Sequence, residues 1–157
     1  MRPHQQLEEC LAAFKKTDAA LTFSSGYATS VGVIPALCGK DDVVILDKLS
    51  HASLIDGAKL SGATLRVFPH NHLEKLERLL AGARGDHASR RVLIVTESIF
   101  SMDGDAAALR EIVALKERYG AWLMLDEAHA VGVLGPQGRG LAAQCGVEGG
   151  WRFRWAR

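Results

Sequence analysis

Four short stretches of this chain carry side chains that could do chemistry. They are Ser25-Gly26-Tyr27, Ser50-His51, Glu97 to Ser101, and Asp126 with His129. The last follows the apolar run Ala121-Trp122-Leu123-Met124-Leu125, and Glu97 follows Val92-Leu93-Ile94-Val95-Thr96. Carboxylates placed directly after buried strands sit at the carboxyl edge of a parallel sheet, where open α/β sheets bind their ligands. Ser25-Gly26 sits where a helix starts, and free N–H groups there favour a phosphate. Together the four stretches offer an anion cup, a flat imidazole and buried acids around one edge.

The elements that must position these groups follow from periodicity. Leu7, Leu11 and Phe14 recur at helical spacing, with Lys15 and Lys16 where a helix C-terminus welcomes cations. Residues 20–24 read as a short strand broken by Ser24-Ser25-Gly26, and residues 27–37 as a buried helix beginning near Gly26. Strands are expected at 43–46, 64–68, 92–96 and 121–125, and helices at 53–60, from Leu73 to Leu80, and from Leu109 to Tyr119. Asn71 or His72 would cap the helix that starts at Leu73, and Gly120 would end the one before the last strand. Residues 81–90 read as a polar loop, 102–105 as a turn, and 135–140 as a glycine-rich loop before another helix start. This alternation predicts an α/β fold of about five strands, mostly parallel, with helices on both faces.

Composition narrows the function. With 157 residues and a net charge of +1, the chain is most simply one domain, and nothing overall asks for nucleic acid or a membrane as partner. No apolar run is long enough to span a bilayer and no leader is read at Met1, so a cytoplasmic location is expected. Cys10, Cys38 and Cys145 are odd in number and far apart, which fits free thiols better than a disulfide framework or a metal site; no metal is expected.

One ligand that would use all four stretches is pyridoxal phosphate. It needs a phosphate cup, a carboxylate that keeps its ring nitrogen protonated, a flat group over its ring and a donor near its phenolic oxygen. Plainer roles stand beside these. Asp126 could be a cap or turn former, His51 a structural histidine, and Gly26, Ser101 and Glu97 parts of turns. His70, His72 and His87 are expected to face solvent. Asp-Glu-Ala-His is also the Mg²⁺-binding signature of one helicase group, but the required phosphate loop is missing. Its only Gly-Lys, at Gly39-Lys40, is followed by Asp41 and has Ile34 in place of the first glycine. The glycines from 135 to 140 lack the spacing of a dinucleotide-binding turn.

Four motifs in order make the chain resemble a family. Phe23-Ser24-Ser25-Gly26-Tyr27-Ala28, Leu49-Ser50-His51-Ala52-Ser53-Leu54, Glu97 to Asp105 and Leu125-Asp126-Glu127-Ala128-His129-Ala130-Val131-Gly132 closely resemble the α-oxoamine synthases, pyridoxal-phosphate enzymes of fold type I. The resemblance spans about residues 3–148. It implies that Asp126 partners the pyridinium nitrogen, His51 stacks on the ring, His129 and Ser101 lie near the phenolic oxygen, and Ser25, Gly26 and Tyr27 hold the phosphate. The implied reaction condenses L-alanine with a pimeloyl thioester and releases carbon dioxide, a step of biotin synthesis; members acting on other substrates share the same cofactor motifs.

The chain also departs from that pattern. Family members anchor the cofactor on a lysine well beyond Asp-Glu-Ala-His, and no lysine follows Lys116 here. They are more than twice as long and form homodimers with shared sites, some including a subunit without that lysine. The resemblance therefore implies a fragment holding residues 1–148 of the large domain, inactive alone, or a non-catalytic partner subunit. Residues 149–157 match nothing in the family pattern and read as a foreign tail, as a frameshift would leave. Without the family's later strands, residues 20–24 would lack a sheet neighbour and residues 121–125 would form an open edge.

Overall fold

The computed structural model describes residues 2–83 and 90–149, together with the backbone of 153–155. Its centre is a parallel five-stranded sheet of order β2-β1-β3-β4-β5. The strands are β1 (Val43–Asp47), β2 (Thr64–Phe68), β3 (Val92–Glu97), β4 (Trp122–Asp126) and β5 (Phe153–Trp155). The helices are α1 (Arg2–Lys15), α2 (Gly26–Leu37), α3 (Ala52–Leu60), α4 (Leu73–Ala83), α5 (Leu109–Tyr119) and the short α6 (Leu141–Gln144).

The unbroken apolar runs of β1, β3 and β4 are explained by burial on both faces. Successive side chains alternate: Val43, Ile45, Val92, Ile94, Leu123 and Leu125 pack with Leu76 and Leu80 of α4 and Leu109, Ile112 and Leu115 of α5. Val44, Leu46, Leu93, Val95 and Met124 face the other way, onto Ile34 and Cys38 at the end of α2 and Leu54 and Ala58 of α3. β2 lies at the edge and is largely exposed along its length. His72 accepts the Lys75 N–H at 3.2 Å, as a cap of α4 should, and α5 ends at Gly120 in the left-handed conformation, φ 60°.

Three expectations change. Residues 20–24 form no strand; the Thr22 N–H and hydroxyl instead donate to Glu8 Oε1 of α1, at 2.9 and 3.0 Å, so that segment is held by a helix rather than a sheet. The expected open edge along β4 is also covered over its last turn of ladder, because β5 pairs with it in the register Met124↔Phe153 to Asp126↔Trp155. The number of strands among the described residues is thus as expected, with β5 in place of the segment before α2. The polar loop expected at 81–90 begins later, since α4 runs to Ala83; residues 84–89 and with them His87 lie outside the described residues.

α1 differs from the other helices in that none of its residues is buried. Polar contacts tie it down. Besides Glu8, Lys15 Nζ donates to Glu127 Oε2 at 2.6 Å and to the Arg139 carbonyl at 2.7 Å.

Candidate functional site

Because the sheet is parallel, β1, β3 and β4 deliver their last residues, Asp47, Glu97 and Asp126, to one edge, with Glu97 and Asp126 in register. All three carboxylates are buried, at 2%, 2% and 3% exposure. Buried carboxylates at the carboxyl edge of a sheet are candidates for binding or catalysis rather than surface charge.

Glu97 reaches sideways. Its Oε1 accepts the His51 backbone N–H at 2.5 Å, which carries His51 to the end of β3 although the chain brings it from β1. The His51 ring caps α3: Nδ1 accepts the Ser53 N–H at 3.2 Å and lies 2.8 Å from the Ser53 hydroxyl. Asp126 Oδ1 accepts the Ala128 N–H at 2.8 Å, and the Asp126 carbonyl accepts the Ser98 N–H at 2.7 Å. The first of these is the turn-forming role open to any aspartate there; its burial goes beyond what a turn requires.

Ser25 is the N-cap of α2, with an extended backbone and a hydroxyl that accepts the Ala28 N–H at 3.1 Å. Gly26 and Tyr27 open the helix, so their N–H groups have no acceptor inside it and point to where an anion would bind. Tyr27 is half exposed. Ser101, in the turn after β3, and His129, in the turn after β4, are both exposed. Thus the structure links His51, Glu97 and Asp126 through contacts and register and leaves Ser101 and His129 on the rim.

A second network at the same edge was invisible in the spacing. His70 does not face solvent freely: Nδ1 lies 3.0 Å from Asp47 Oδ1 and Nε2 lies 2.7 Å from Asp105 Oδ2, while the ring meets Phe100 edge-on at 4.4 Å between centroids. An imidazole serving two carboxylates must donate from both nitrogens, which requires the cation. Burial alone would lower its affinity for a proton, but the hydrogen bonds to Asp105 and Asp47 and their charges outweigh burial and hold it above the ordinary histidine range. Asn71, in the left-handed region at φ 52°, donates its N–H to Asp47 Oδ2 at 3.0 Å and its side-chain amide to Asp105 Oδ2 at 3.1 Å. Only the polar cluster Pro69-His70-Asn71 after a strand hinted at this. His72 is exposed, as expected.

Glu127 is fully buried beside Asp126 and is held by Lys15 and by the Ala142 N–H at 3.0 Å. The loop glycines have their purpose here: Gly140, at φ +102°, passes so close to Glu127 that an added Cβ would lie 2.4 Å from its Oε1. Among the described residues, no group of three or more His, Cys, Asp or Glu side chains could hold a metal ion, and no helix is long and apolar enough to cross a membrane.

Comparison with known proteins gives the family of the chain. The 8-amino-7-oxononanoate synthase of Geobacter sulfurreducens is 57% identical over 144 residues, 92% of this chain and 36% of that protein. The same-named enzyme of Geobacter metallireducens is 55% identical over 147 residues, 94% of this chain and 37% of its own length. Among solved structures, the serine palmitoyltransferase of S. paucimobilis with a bound PLP–myriocin aldimine superposes with a TM-score of 0.93 at 38% identity, covering 99% of this chain and 40% of that one. The chain therefore spans little more than a third of the length of the relatives it matches. The family model for aminotransferase class I and II matches residues 1–151, and the chain belongs to that family.

Proposed function

We propose that this chain is the cofactor-binding part of a pyridoxal-phosphate-dependent α-oxoamine synthase that condenses L-alanine with a pimeloyl thioester, carried on coenzyme A or a carrier protein, to give 8-amino-7-oxononanoate. The observation that carries this is Asp126: a buried carboxylate at the end of β4, in register with the Glu97 that holds His51. When bound, the cofactor supplies an electron sink for the carbanion left by decarboxylation or proton loss.

The chain's own groups then divide the work. Asp126 keeps a proton on the pyridine nitrogen; in this water-poor setting its charge is felt strongly. His51 covers one face of the ring and fixes its plane, and Glu97 fixes His51. Ser25, Gly26 and Tyr27 at the start of α2 take the phosphate through backbone N–H groups. His129 and Ser101, on the rim in the turns after β4 and β3, would lie toward the phenolic oxygen. These residues suit the cofactor in type, and residues 117–157 contain no lysine to hold it covalently. We therefore read residues 1–148 as a partial large domain that binds the cofactor reversibly and does not turn over alone, its parent being a cytoplasmic homodimer.

The same site chemistry would serve a glycine C-acetyltransferase, a 5-aminolevulinate synthase or a serine palmitoyltransferase. The 8-amino-7-oxononanoate synthases at 50–57% identity among the curated relatives favour the first reading, while among solved structures the palmitoyltransferase, at 38%, stands above the synthase of Francisella tularensis, at 32%.

Absorbance titration of the chain with pyridoxal phosphate, followed by borohydride, tests the proposal. Saturable binding that borohydride does not make permanent is expected, with Asp126→Asn weakening it about tenfold or more through loss of a charge-assisted hydrogen bond. Reduction onto one specific lysine would sink the claim of inactivity, and absence of saturable binding would sink the cofactor assignment.

A further inference from the structure

α2 and α3 pack on the same face of the sheet, and both point their N-termini at the proposed site, one with Ser25-Gly26-Tyr27 and the other with His51. The two helices meet closely. A Cβ added to Gly57 of α3 would lie 2.5 Å from the Ser30 carbonyl oxygen of α2, so only glycine allows this approach.

At that contact runs a chain of hydrogen bonds that no role so far explains. Ser30 and Ser53 are buried, at 0% and 1% exposure. Ser30 Oγ lies 3.1 Å from Ser53 Oγ and 3.2 Å from the Gly26 carbonyl, and Ser53 Oγ lies 2.8 Å from His51 Nδ1. The direction of the chain follows from one backbone group. The Ser53 N–H donates to His51 Nδ1 at 3.2 Å, and a ring nitrogen that accepts a hydrogen bond carries no proton. The Ser53 hydroxyl must therefore donate to Nδ1 as well, and with its only proton committed it can meet Ser30 only as an acceptor. Ser30 therefore donates to Ser53 Oγ, its proton shared with the Gly26 carbonyl at the mouth of α2.

We propose that Ser53, with Ser30 behind it, is a positioning residue: the pair fixes His51 as the Nε2–H tautomer, sets its ring plane, and ties that plane to the start of α2. This rests on the reading of His51 as the group that covers the cofactor ring. On that reading the pair holds the ring-covering imidazole and the phosphate cup at one fixed offset, so that a single rigid unit of two helices receives both ends of the ligand. Glu97 completes the hold from the other side by taking the His51 backbone N–H.

The test uses the whole chain with ¹⁵N-labelled histidine, its His51 signals assigned with His51→Gln. Long-range ¹H–¹⁵N spectra at pH 8 should show His51 as a single Nε2–H tautomer. Ser53→Ala should shift the Nδ1 resonance toward that of an unbonded ring nitrogen, Ser30→Ala should shift it the same way by less, and Ser53→Thr should restore it. Titration with pyridoxal phosphate should weaken about three- to tenfold in Ser53→Ala, the loss expected for one neutral hydrogen bond. An Nδ1–H or averaged pattern in the unsubstituted chain, or an Nδ1 resonance indifferent to both serines, overturns the proposal. Normal tautomer shifts in a chain that never binds pyridoxal phosphate overturn the cofactor reading and leave the serine relay standing as a structural device.

Discussion

The two edges of the sheet hold their buried carboxylates by different means. At the amino edge Asp42, just before β1, accepts the N–H groups of Gly39 and Arg91 at 2.9 and 2.8 Å and pairs with the Arg91 guanidinium at 3.1 Å. At the carboxyl edge Asp47 accepts from Leu49, Asn71 and His70, and His70 is shared with Asp105. Both clasps join segments far apart in sequence. The amino edge uses a cation that never titrates, and the carboxyl edge uses one that does. The amino edge is therefore indifferent to neutral pH, while the edge that carries the proposed site is tied by a group whose charge can change. Asp105 belongs to the turn that carries Ser101, so the clasp reaches the rim of the site.

The comparison breaks most visibly at the buried pair next to Asp126. Lys15→Met leaves Glu127, which is fully buried, without its ammonium, and should destabilise the chain by about 3 kcal/mol. Arg91→Met removes a cation whose side chain is 48% exposed and should cost about 1 kcal/mol or less. Urea midpoints of the two variants decide the matter; equal losses would mean that the two edges bear load alike.

Much of this was legible in the sequence because apolar runs and strand-end acids are local signals. β1, β3 and β4 and the helices packed on them could be read from residue type and period, while the roles expected of Asp126, His51 and Ser25 came from the resemblance to the α-oxoamine synthases. Two kinds of feature could not. Residues 20–24 have the composition of a strand, but pairing decides strands, and Thr22 finds its partner in Glu8 of α1 instead. The clasps Asp47–His70–Asp105 and Lys15–Glu127 join residues dozens of positions apart, and nothing in the local pattern around His70 or Lys15 announces a buried carboxylate opposite. Glu97 was visible as a strand-end acid, while its grip on the His51 backbone belongs to the fold alone.

Titration gives a smaller effect that sharpens the contrast. His70 has a raised affinity for its proton in the folded chain, so the stability it contributes is fully present below the unfolded value of about 6.5 and is lost as pH rises through the folded value. Asp42 behaves in the opposite sense. Burial would raise its carboxyl, but the Gly39 and Arg91 N–H groups and the Arg91 charge hold it below the ordinary range. Its contribution is present above about pH 3.9 and is lost as pH falls through the depressed value. Unfolding midpoints should therefore decline as pH rises from about 6, and His70→Gln should flatten that decline. A decline that persists unchanged in His70→Gln would assign it to another group.

Cys38 serves as a chemical reporter for the amino edge. It caps the end of α2, packs with Val44 and Leu46 of β1, and has its thiol pushed up to about 11, by burial first and then by the Asp42 charge, with Arg91 opposing. At pH 8 its thiolate fraction should be about a hundredfold below that of an ordinary thiol, so a thiol reagent should label exposed Cys10 first. Between pH 7 and 9 the Cys38 labelling rate should climb about tenfold per unit, as thiolate alone dictates. A steeper climb, coinciding with the loss of the His70 proton, would show the amino edge opening together with the carboxyl edge. The sheet would then act as one cooperative unit, and the choice of arginine at one edge and histidine at the other would carry no functional distinction.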